Sequence, residues 1–237
     1  FTTQIIGKGK EVSVTSTNLQ IVFTDTDGEI AGSDIEPGWS ATKTFTVQNN
    51  SKEEYKYNIV IKDLVNTFVT NGYLQYKITS TNSGYNMTEF KDIPKSQTAT
   101  DKVLAYSVAI PVGVTQTYTI EFTYPNDENV DQGDDMGKVL KGTLFITEGT
   151  EDIHGGFEDS TLAWQLLDDH STRLIRTDFS DTLSISNTKT LYTATEEGTP
   201  VYYFAGNAQD NWVKFGGFYW RIIRTNSDGG VRLLYHG

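Results

Sequence analysis

The segment from Ile35 to Ser51 constrains the fold of this chain most strongly, because it places one alternating strand between two turns. Its Pro37-Gly38 pair predicts a turn, since proline presets φ and glycine accepts the positive φ that follows. The next residues alternate with the period of two of a half-buried strand, with Phe45 and Val47 on one side. An Asn-Asn-Ser sequence then ends the strand, because these side chains bond their own backbone. The pattern places four residues at the edges and on the solvent face of the strand: Lys43, Thr44, Thr46 and Gln48.

The composition of the chain favours strands over helices. Its 237 residues include 13 Tyr, 12 Phe and 4 Trp, which pack well on sheets, and 21 Gly, which allow tight turns. Short alternating segments separated by turn signals precede residue 148, among them 19–24, 41–48, 55–64, 115–124 and 139–147. Because no helical pattern in this part is long enough to cover a sheet, we predict an all-β, mainly antiparallel sandwich.

The chain length exceeds the usual size of one domain, and the composition changes near residue 150. All 12 basic residues before this point are lysine, whereas 5 of the 7 after it are arginine. We therefore predict a sandwich with an N-terminal arm over 1–148, a linker over 149–158 and a small α+β domain over 159–237. The small domain is expected to have one short helix from Asp159 to His170, capped by Ser or Asp, and an antiparallel meander from 201 to 235. We also expect the natural chain to continue beyond Gly237.

The charge of the chain argues against several partners. A net charge of −12, without a basic patch, does not favour binding to nucleic acid or to anionic lipid. No run of residues has the apolar length of a membrane span, so membrane insertion is not expected. The chain begins at Phe1, which we interpret as an N-terminus processed after removal of a signal peptide.

The N-terminal arm is lightly apolar and is interrupted by glycine. Its aliphatic residues are Ile5, Ile6, Val12 and Val14. A segment of this kind can complete the sheet of a neighbouring subunit, because an added strand satisfies a row of edge backbone groups and buries alternate side chains. It can equally be an ordinary first strand that pairs within its own domain, and the residues alone slightly favour this second interpretation.

The sequence provides no set of residues for enzyme chemistry. The three histidines, His154, His170 and His236, are far apart and lack the His-Glu-x-x-His spacing of zinc hydrolases. The chain has no cysteine, no Gly-x-Ser-x-Gly sequence and no phosphate-binding loop. We therefore expect neither an enzyme nor an organic cofactor.

Calcium is the better metal candidate, because it prefers hard oxygen ligands. Asp25, Asp27 and Glu29 place three carboxylates around Gly28. A second acidic segment, residues 126–135, adds Asp127, Glu128, Asp131, Asp134 and Asp135. Neither segment matches the twelve-residue calcium loop, and the alternative of a hairpin turn and a solvated acidic loop is favoured.

Aromatic residues are concentrated in the last strands of the chain: Tyr202, Tyr203, Phe204, Trp212, Phe215, Phe218, Tyr219 and Trp220. Flat rings with polar groups can stack on sugars, but large aromatics also dominate the cores of small domains. The alternation favours a core in which Phe218 and Trp220 share one side, with Tyr203 and Tyr219 on the exposed face. Arg221 and Arg224 are expected over the rings or in solvent.

Residues 1–148 resemble the TasA/camelysin family of secreted Gram-positive fibre and matrix proteins. The similarity lies in Phe-Thr-Asp-Thr-Asp at 23–27, the turn and strand from Ile35 to Asn50, and Asp-Gln-Gly-Asp at 131–134 before a strand that ends at Ile146. The resemblance implies a jelly-roll-like sandwich, export with a cleaved signal peptide, and polymerisation by strand donation. With it, donation by the N-terminal arm becomes the favoured interpretation. Camelysin has been classed as a metalloprotease, which the histidine spacing of this chain opposes.

The second part of the chain resembles a module common in surface proteins of Firmicutes, through residues 201–204 and 212–224. The resemblance assigns no activity to this module. Together the two parts predict an extracellular structural protein, a subunit of a surface filament or biofilm matrix that assembles with copies of itself or with other surface proteins. The alternative is an adhesin or glycan-binding module that uses the C-terminal aromatic face.

Overall fold

The computed structural model describes residues 4–5, 12–16, 19–25, 35–159, 161–177, 179, 191–196 and 198–237. These residues form sixteen strands and one α-helix, which confirms the prediction of an all-β class with one short helix. They divide into two compact units, Phe1–Glu151 and Asp152–Gly237, which we call unit 1 and unit 2. No helix in the described part of the chain is long and apolar enough to cross a membrane.

Unit 1 has ten strands in two sheets. The strands are β1 (Gln4–Ile5), β2 (Val12–Ser16), β3 (Leu19–Asp25), β4 (Trp39–Asn49), β5 (Tyr55–Asn66), β6 (Gln75–Ser80), β7 (Lys91–Asp92), β8 (Ser96–Ile110), β9 (Thr115–Tyr124) and β10 (Leu140–Glu148). The four-stranded sheet has the order β1-β10-β5-β8, and the six-stranded sheet has the order β2-β3-β4-β9-β6-β7. Among the described strands of this unit, only β1 and β10 pair in parallel.

One hydrophobic core joins the two sheets of unit 1 into a sandwich. Phe45 from the six-stranded sheet and Ile59 from the four-stranded sheet are both fully buried in it. The rings of Phe45 and Tyr118 stack with centroids 4.8 Å apart. The hydroxyl of Tyr118 also meets that of Tyr57, whose own hydroxyl donates to Gln116 Oε1 at 2.6 Å. The polar ends of these large rings are therefore hydrogen-bonded inside the core, as buried polar groups require.

The segment from Ile35 to Ser51 has the predicted arrangement, with β4 at its centre and one correction. Phe45 and Val47 are buried, and Asn49 Oδ1 accepts from the backbone N–H of Ser51 at 2.9 Å, which ends the strand as predicted. The assignment of Lys43 to an edge or solvent face was wrong, because Lys43 is fully buried. The period of two places position 43 on the same side as 45 and 47, so burial follows the alternation rather than the charge.

Unit 2 is built on one sheet with the order β11-β12-β13-β15-β14, and its last strand, β16, pairs with β15. The strands are β11 (Leu174–Ile175), β12 (Leu191–Glu196), β13 (Thr199–Phe204), β14 (Trp212–Phe215), β15 (Phe218–Thr225) and β16 (Val231–Tyr235). The helix, α1, spans Leu162–Asp169. Its N-cap is Thr161, whose Oγ1 accepts from the backbone N–H of Trp164 at 3.2 Å. The predicted start at Asp159 was therefore too early by about one turn, and the cap is neither Ser nor Asp.

Helix α1 supplies the small core of unit 2. Leu167 is fully buried and clusters with Leu191 and Tyr202 of the sheet. The preceding segment also belongs to this unit, since His154 is 7% exposed and its ring stacks on that of Trp164 at 4.1 Å. The range 149–158, assigned to a linker from sequence, therefore includes one residue, His154, that is buried within unit 2.

Candidate functional site

The N-terminal strands lie at sheet edges. Strand β1 pairs with β10 through only two residue pairs, Gln4 with Lys141 and Ile5 with Gly142. Strand β2, which includes Val12 and Val14, forms a hairpin with β3 at the edge of the six-stranded sheet. Three of the four predicted assembly residues are thus in paired strands of their own chain, and Ile6 lies outside the described residues.

The outer side of β10 is one of the open edges that these contacts leave, besides that of β8 at the other end of the same sheet. From Thr143 to Glu148, no strand among the described residues pairs with β10 on the side opposite β5. The register of β10 with β5 shifts between Lys141 and Thr143, where the short pairing with β1 ends. Leu144 and Ile146 in the same stretch are buried, so the edge borders the core of the sandwich. Unpaired backbone groups beside a hydrophobic core are a template for an added strand.

The predicted calcium ligands can be located only in part. Asp25 is the last residue of β3, whereas Asp27 and Glu29 lie outside the described residues. Within the described part of the chain, no group of three His, Cys, Asp or Glu side chains is arranged to hold a metal ion. The acidic segment 126–135 lies in this described part and holds no such group.

The acidic segment instead forms a wall of a cavity of about 430 Å³ in unit 1. The cavity lies between the Pro37-Gly38 turn and the loop from Asn126 to Met136. Gly38, with φ of 95°, donates its backbone N–H to the carbonyl of Tyr124 at 2.7 Å and so ties the turn to the strand before the loop. The two segments quoted for the family resemblance, around residues 35–40 and 131–134, therefore meet at one cavity.

Asp135 anchors the loop to the body of unit 1. It is 2% exposed, and its carboxylate accepts from the backbone N–H groups of Val69 at 2.6 Å and Thr70 at 3.3 Å and from the hydroxyl of Tyr124 at 2.8 Å. Burial alone would raise the pKa of Asp135, but the hydrogen bonds from Thr70, Val69 and Tyr124 outweigh it and lower that pKa. The pKa of Tyr124 is raised in turn, first by burial and then by its bond to Asp135.

A second set of contacts fixes the middle of the loop. The hydroxyl of Tyr73 donates to Asp127 Oδ2 at 2.6 Å, which lowers the pKa of Asp127. Gln132 accepts from the backbone of Asp127 at 3.2 Å and donates to the carbonyl of Pro125 at 3.0 Å. These bonds hold the loop at several points and so fix this wall of the cavity.

In unit 2 the aromatic residues of the last strands are largely at the surface. Tyr219 is 53% exposed, as predicted for the exposed face, and the ammonium of Lys214 lies 5.6 Å from its ring centroid. Tyr203 is half-buried and stacks on Tyr192 with centroids 5.6 Å apart. The expectation that Phe218 belongs to the core was wrong, because Phe218 is 51% exposed.

The arginines of these strands differ in their contacts. The guanidinium of Arg221 lies over the ring of Trp212, 4.9 Å from its centroid, as predicted. Arg224 forms an ion pair with Glu196 at 2.7 Å, which lowers the pKa of that carboxyl. Strands β14 and β15 therefore combine aromatic rings with guanidinium and ammonium groups, and such a surface suits aromatic or anionic partners.

The histidines do not converge on one site. His154 meets Asp168 through Nε2 at 3.2 Å, and His170 meets Asp210 through Nε2 at 3.1 Å. His236 lies edge-on to Trp212, with ring centroids 4.6 Å apart. Each imidazole thus has its own neighbours, and the three are not ligands of one metal.

Two features of these surfaces could not be assigned from sequence. The cavity in unit 1 requires residues that are about ninety positions apart in the chain, namely the Pro37 turn and the loop at Val130. The exposed hairpin tip between Phe215 and Phe218 falls within the predicted meander. The glycine pair between the two phenylalanines indicates a tight turn, but it does not indicate that both rings are exposed.

Comparisons with known proteins give no match to this chain. No protein-family profile, no curated protein and no solved structure is significantly similar to it. The resemblance to secreted fibre proteins therefore remains a prediction from the motifs quoted above.

Proposed function

We propose that this protein is an extracellular structural protein, a subunit of a surface filament or matrix that acts by assembling with other copies of itself rather than by catalysis. The observation that supports assembly is the edge of β10 from Thr143 to Glu148, which no described strand covers. The extracellular location rests on the motif resemblance of residues 23–50 and 131–146.

The N-terminal strand of a neighbouring copy is the proposed occupant of this edge. The edge is six residues long, whereas the intramolecular β1 covers only Lys141 and Gly142. A longer added strand gains more backbone hydrogen bonds and places alternate apolar side chains, such as those of the arm, beside Leu144 and Ile146. Exchange of the short intramolecular pairing for a longer intermolecular one therefore favours a polymer.

Negative-stain microscopy of the purified full chain tests this proposal. We expect regular polymers from the full chain and soluble monomers after deletion of residues 1–14. A synthetic peptide of residues 1–14 should shorten the polymers by occupying the β10 edge, and a scrambled peptide of the same composition should not. If full-length and truncated proteins both stay monomeric, assembly through the arm is wrong.

A glycan-binding module is the second candidate, and the exposure of Tyr219 is the observation that favours it. Its ring presents a flat face with a hydroxyl, and Lys214 lies beside it as a hydrogen-bond donor. Tyr219→Ala should then abolish retention on a glycan array while the melting temperature stays unchanged. Retention equal to that of the unmodified chain would exclude this ring as a sugar platform.

A further inference from the structure

The turn between β14 and β15 presents two phenylalanine rings to solvent. It consists of Gly216 and Gly217, with φ of 61° and 84°, values that suit a tight hairpin turn. Phe215 and Phe218 flank the turn and are 67% and 51% exposed. Large exposed apolar groups gathered at one place are typical of an interaction surface.

The hairpin tip is held in one conformation by its neighbours. Phe215 and Phe218 are register partners, so their rings lie on the same face of the sheet. Trp220 Nε1 donates to the carbonyl of Phe215 at 2.9 Å. The ring of Tyr235 lies edge-on to those of Phe218 and Trp220, at 5.7 Å and 5.2 Å. A tip that is already ordered loses little conformational entropy on binding.

The cavity of unit 1 matches such a tip in size and lining. Its volume is about 430 Å³, whereas a cavity of roughly 150 Å³ is enough to hold benzene. Ile35 is buried at the cavity, and Pro37, Val130 and Met136 are exposed beside it, with Met136 70% exposed. A methionine at the opening suits aromatic rings, because its thioether makes favourable contacts with them.

The charges of the two surfaces are complementary. The hairpin from Trp212 to Arg221 contains two basic residues, Lys214 and Arg221, and no acidic residue. The loop from 126 to 137 contains five acidic residues and no basic one. Glu128 and Asp131 line the cavity and are exposed. Opposite charges around an apolar contact fix its orientation and accelerate the encounter.

We propose that the Phe215–Phe218 hairpin tip of one copy inserts into the cavity between the Pro37-Gly38 turn and the 126–136 loop of a second copy. The inference rests on the proposed function in that the partner is another copy of this chain. Because the two surfaces differ, the contact is heterologous: the copy that inserts its tip keeps its own cavity free, and the copy that receives it keeps its own tip free. Repetition of the contact therefore adds further subunits, in an open chain or in a ring.

Site-directed crosslinking tests this contact, because the chain has no cysteine of its own. Lys214→Cys lies at the neck of the hairpin and Asp131→Cys at the cavity, and both changes leave the two rings in place. An oxidised mixture of the two single variants should give a disulfide-linked dimer on a non-reducing gel. Val112→Cys is the control in place of Asp131→Cys, because Val112 is exposed in unit 1 but does not line the cavity. Its mixture with Lys214→Cys should give no disulfide-linked dimer.

The role of the Phe215 and Phe218 rings is tested in the Lys214→Cys variant. Adding Phe215→Ser and Phe218→Ser to the Lys214→Cys variant should reduce the dimer about tenfold or more, as for the loss of an interface hot spot. Tyr219→Ser is the matched control, since Tyr219 is equally exposed but lies on the opposite face of β15. An unchanged melting temperature for each variant establishes that the fold is retained.

The remaining outcomes overturn the inference. Dimers from Lys214→Cys alone would show a symmetric contact between two hairpins. A disulfide within the Lys214→Cys, Asp131→Cys double variant at high dilution would show that the tip occupies the cavity of its own chain. Polymers of the unmodified protein without any crosslink would leave the proposed function intact and refute this contact alone.

Discussion

The two units use the same antiparallel strands but differ in what covers their rings. In unit 1 six aromatic side chains of the core, among them Phe45 and Tyr118, are at most 2% exposed. In unit 2 the corresponding strands leave Phe215 and Phe218 more than half exposed. Unit 1 has a second sheet to face its first, whereas unit 2 has an eight-residue helix, which at 1.5 Å per residue is about 12 Å long. Burial of a ring therefore depends on the extent of the opposing layer as well as on alternation.

The largest expected effect comes from truncating one ring in each unit. Phe45→Ala should lower the free energy of unfolding by about 3–5 kcal/mol, because it removes a fully buried ring that stacks on Tyr118. Phe218→Ala should change it by less than about 0.5 kcal/mol, as for most surface positions. Urea unfolding followed by circular dichroism measures both. Similar losses for the two variants would mean that unit 2 buries its hairpin as firmly as unit 1 buries its core.

Buried asparagines should show no such difference between the units. Asn49 donates to the carbonyls of Glu53 and Ile110 at 2.8 Å and 2.9 Å, and Asn211 donates to that of Ile222 at 2.9 Å. Each alanine substitution should cost about 1–3 kcal/mol, because it leaves a buried carbonyl without its partner. Asn50→Ala, at an exposed neighbouring position, should have little effect in the same urea experiment. If only Asn49→Ala lowered the free energy of unfolding, buried polar groups would need their hydrogen-bond partners only in the sandwich of unit 1.

Acid should destabilise unit 1 through Asp135. Its pKa is lowered in the folded protein, so its contribution is complete above the ordinary aspartate value of about 3.9 and is lost as the pH falls through the lower folded pKa. Between pH 5 and pH 2, the free energy of unfolding of the unmodified chain should therefore fall more steeply than that of Asp135→Asn. Asp134→Asn, an exposed neighbour, should keep the steeper profile. Identical profiles for all three would assign the acid sensitivity to other carboxylates.

The smallest effect is expected at the ion pair of unit 2. The pKa of Glu196 is lowered, first by its hydrogen bond from Arg224. Glu196→Gln should lower the melting temperature slightly at low ionic strength, and the difference should vanish at 1 M salt, where exposed charges are screened. The corresponding difference for Asp135→Asn should persist in salt, since that carboxylate is buried. A salt-independent effect at Glu196 would indicate that the pair is shielded from solvent.

The sequence predicted the strands of unit 1 well because their alternation is local. The segment from Ile35 to Ser51 became a turn, strand β4 and an asparagine-terminated end, as its residues indicate. Lys43 is the exception, because its charge favours the solvent face whereas the period of two places it on the buried side. Its burial depends on the second sheet, which no local pattern describes.

The candidate sites were predicted less completely, because each depends on residues distant in sequence. The open edge of β10 follows from the sheet order, and the cavity follows from the approach of the Pro37 turn to the loop at Val130. The exposure of Tyr219 was predicted by alternation, but that of Phe218 was not, because the opposing helix is too short to cover it. Local patterns thus identified the faces, and tertiary contacts decided which of them remain at the surface.

The sheet order of unit 1 also sets when this unit can fold as the chain is made. Strand β5 lies between β8 and β10, and Ile61 of β5 pairs with Leu144 of β10. Synthesis proceeds from the N-terminus, so β5 waits for its second neighbour until the last strand of the unit has been made. Pairings across such long sequence separations form slowly, because the loop must close before any contact compensates for its entropy. A nascent chain that ends before residue 140 therefore exposes one edge of β5, and an unpaired strand edge makes such a chain prone to aggregation.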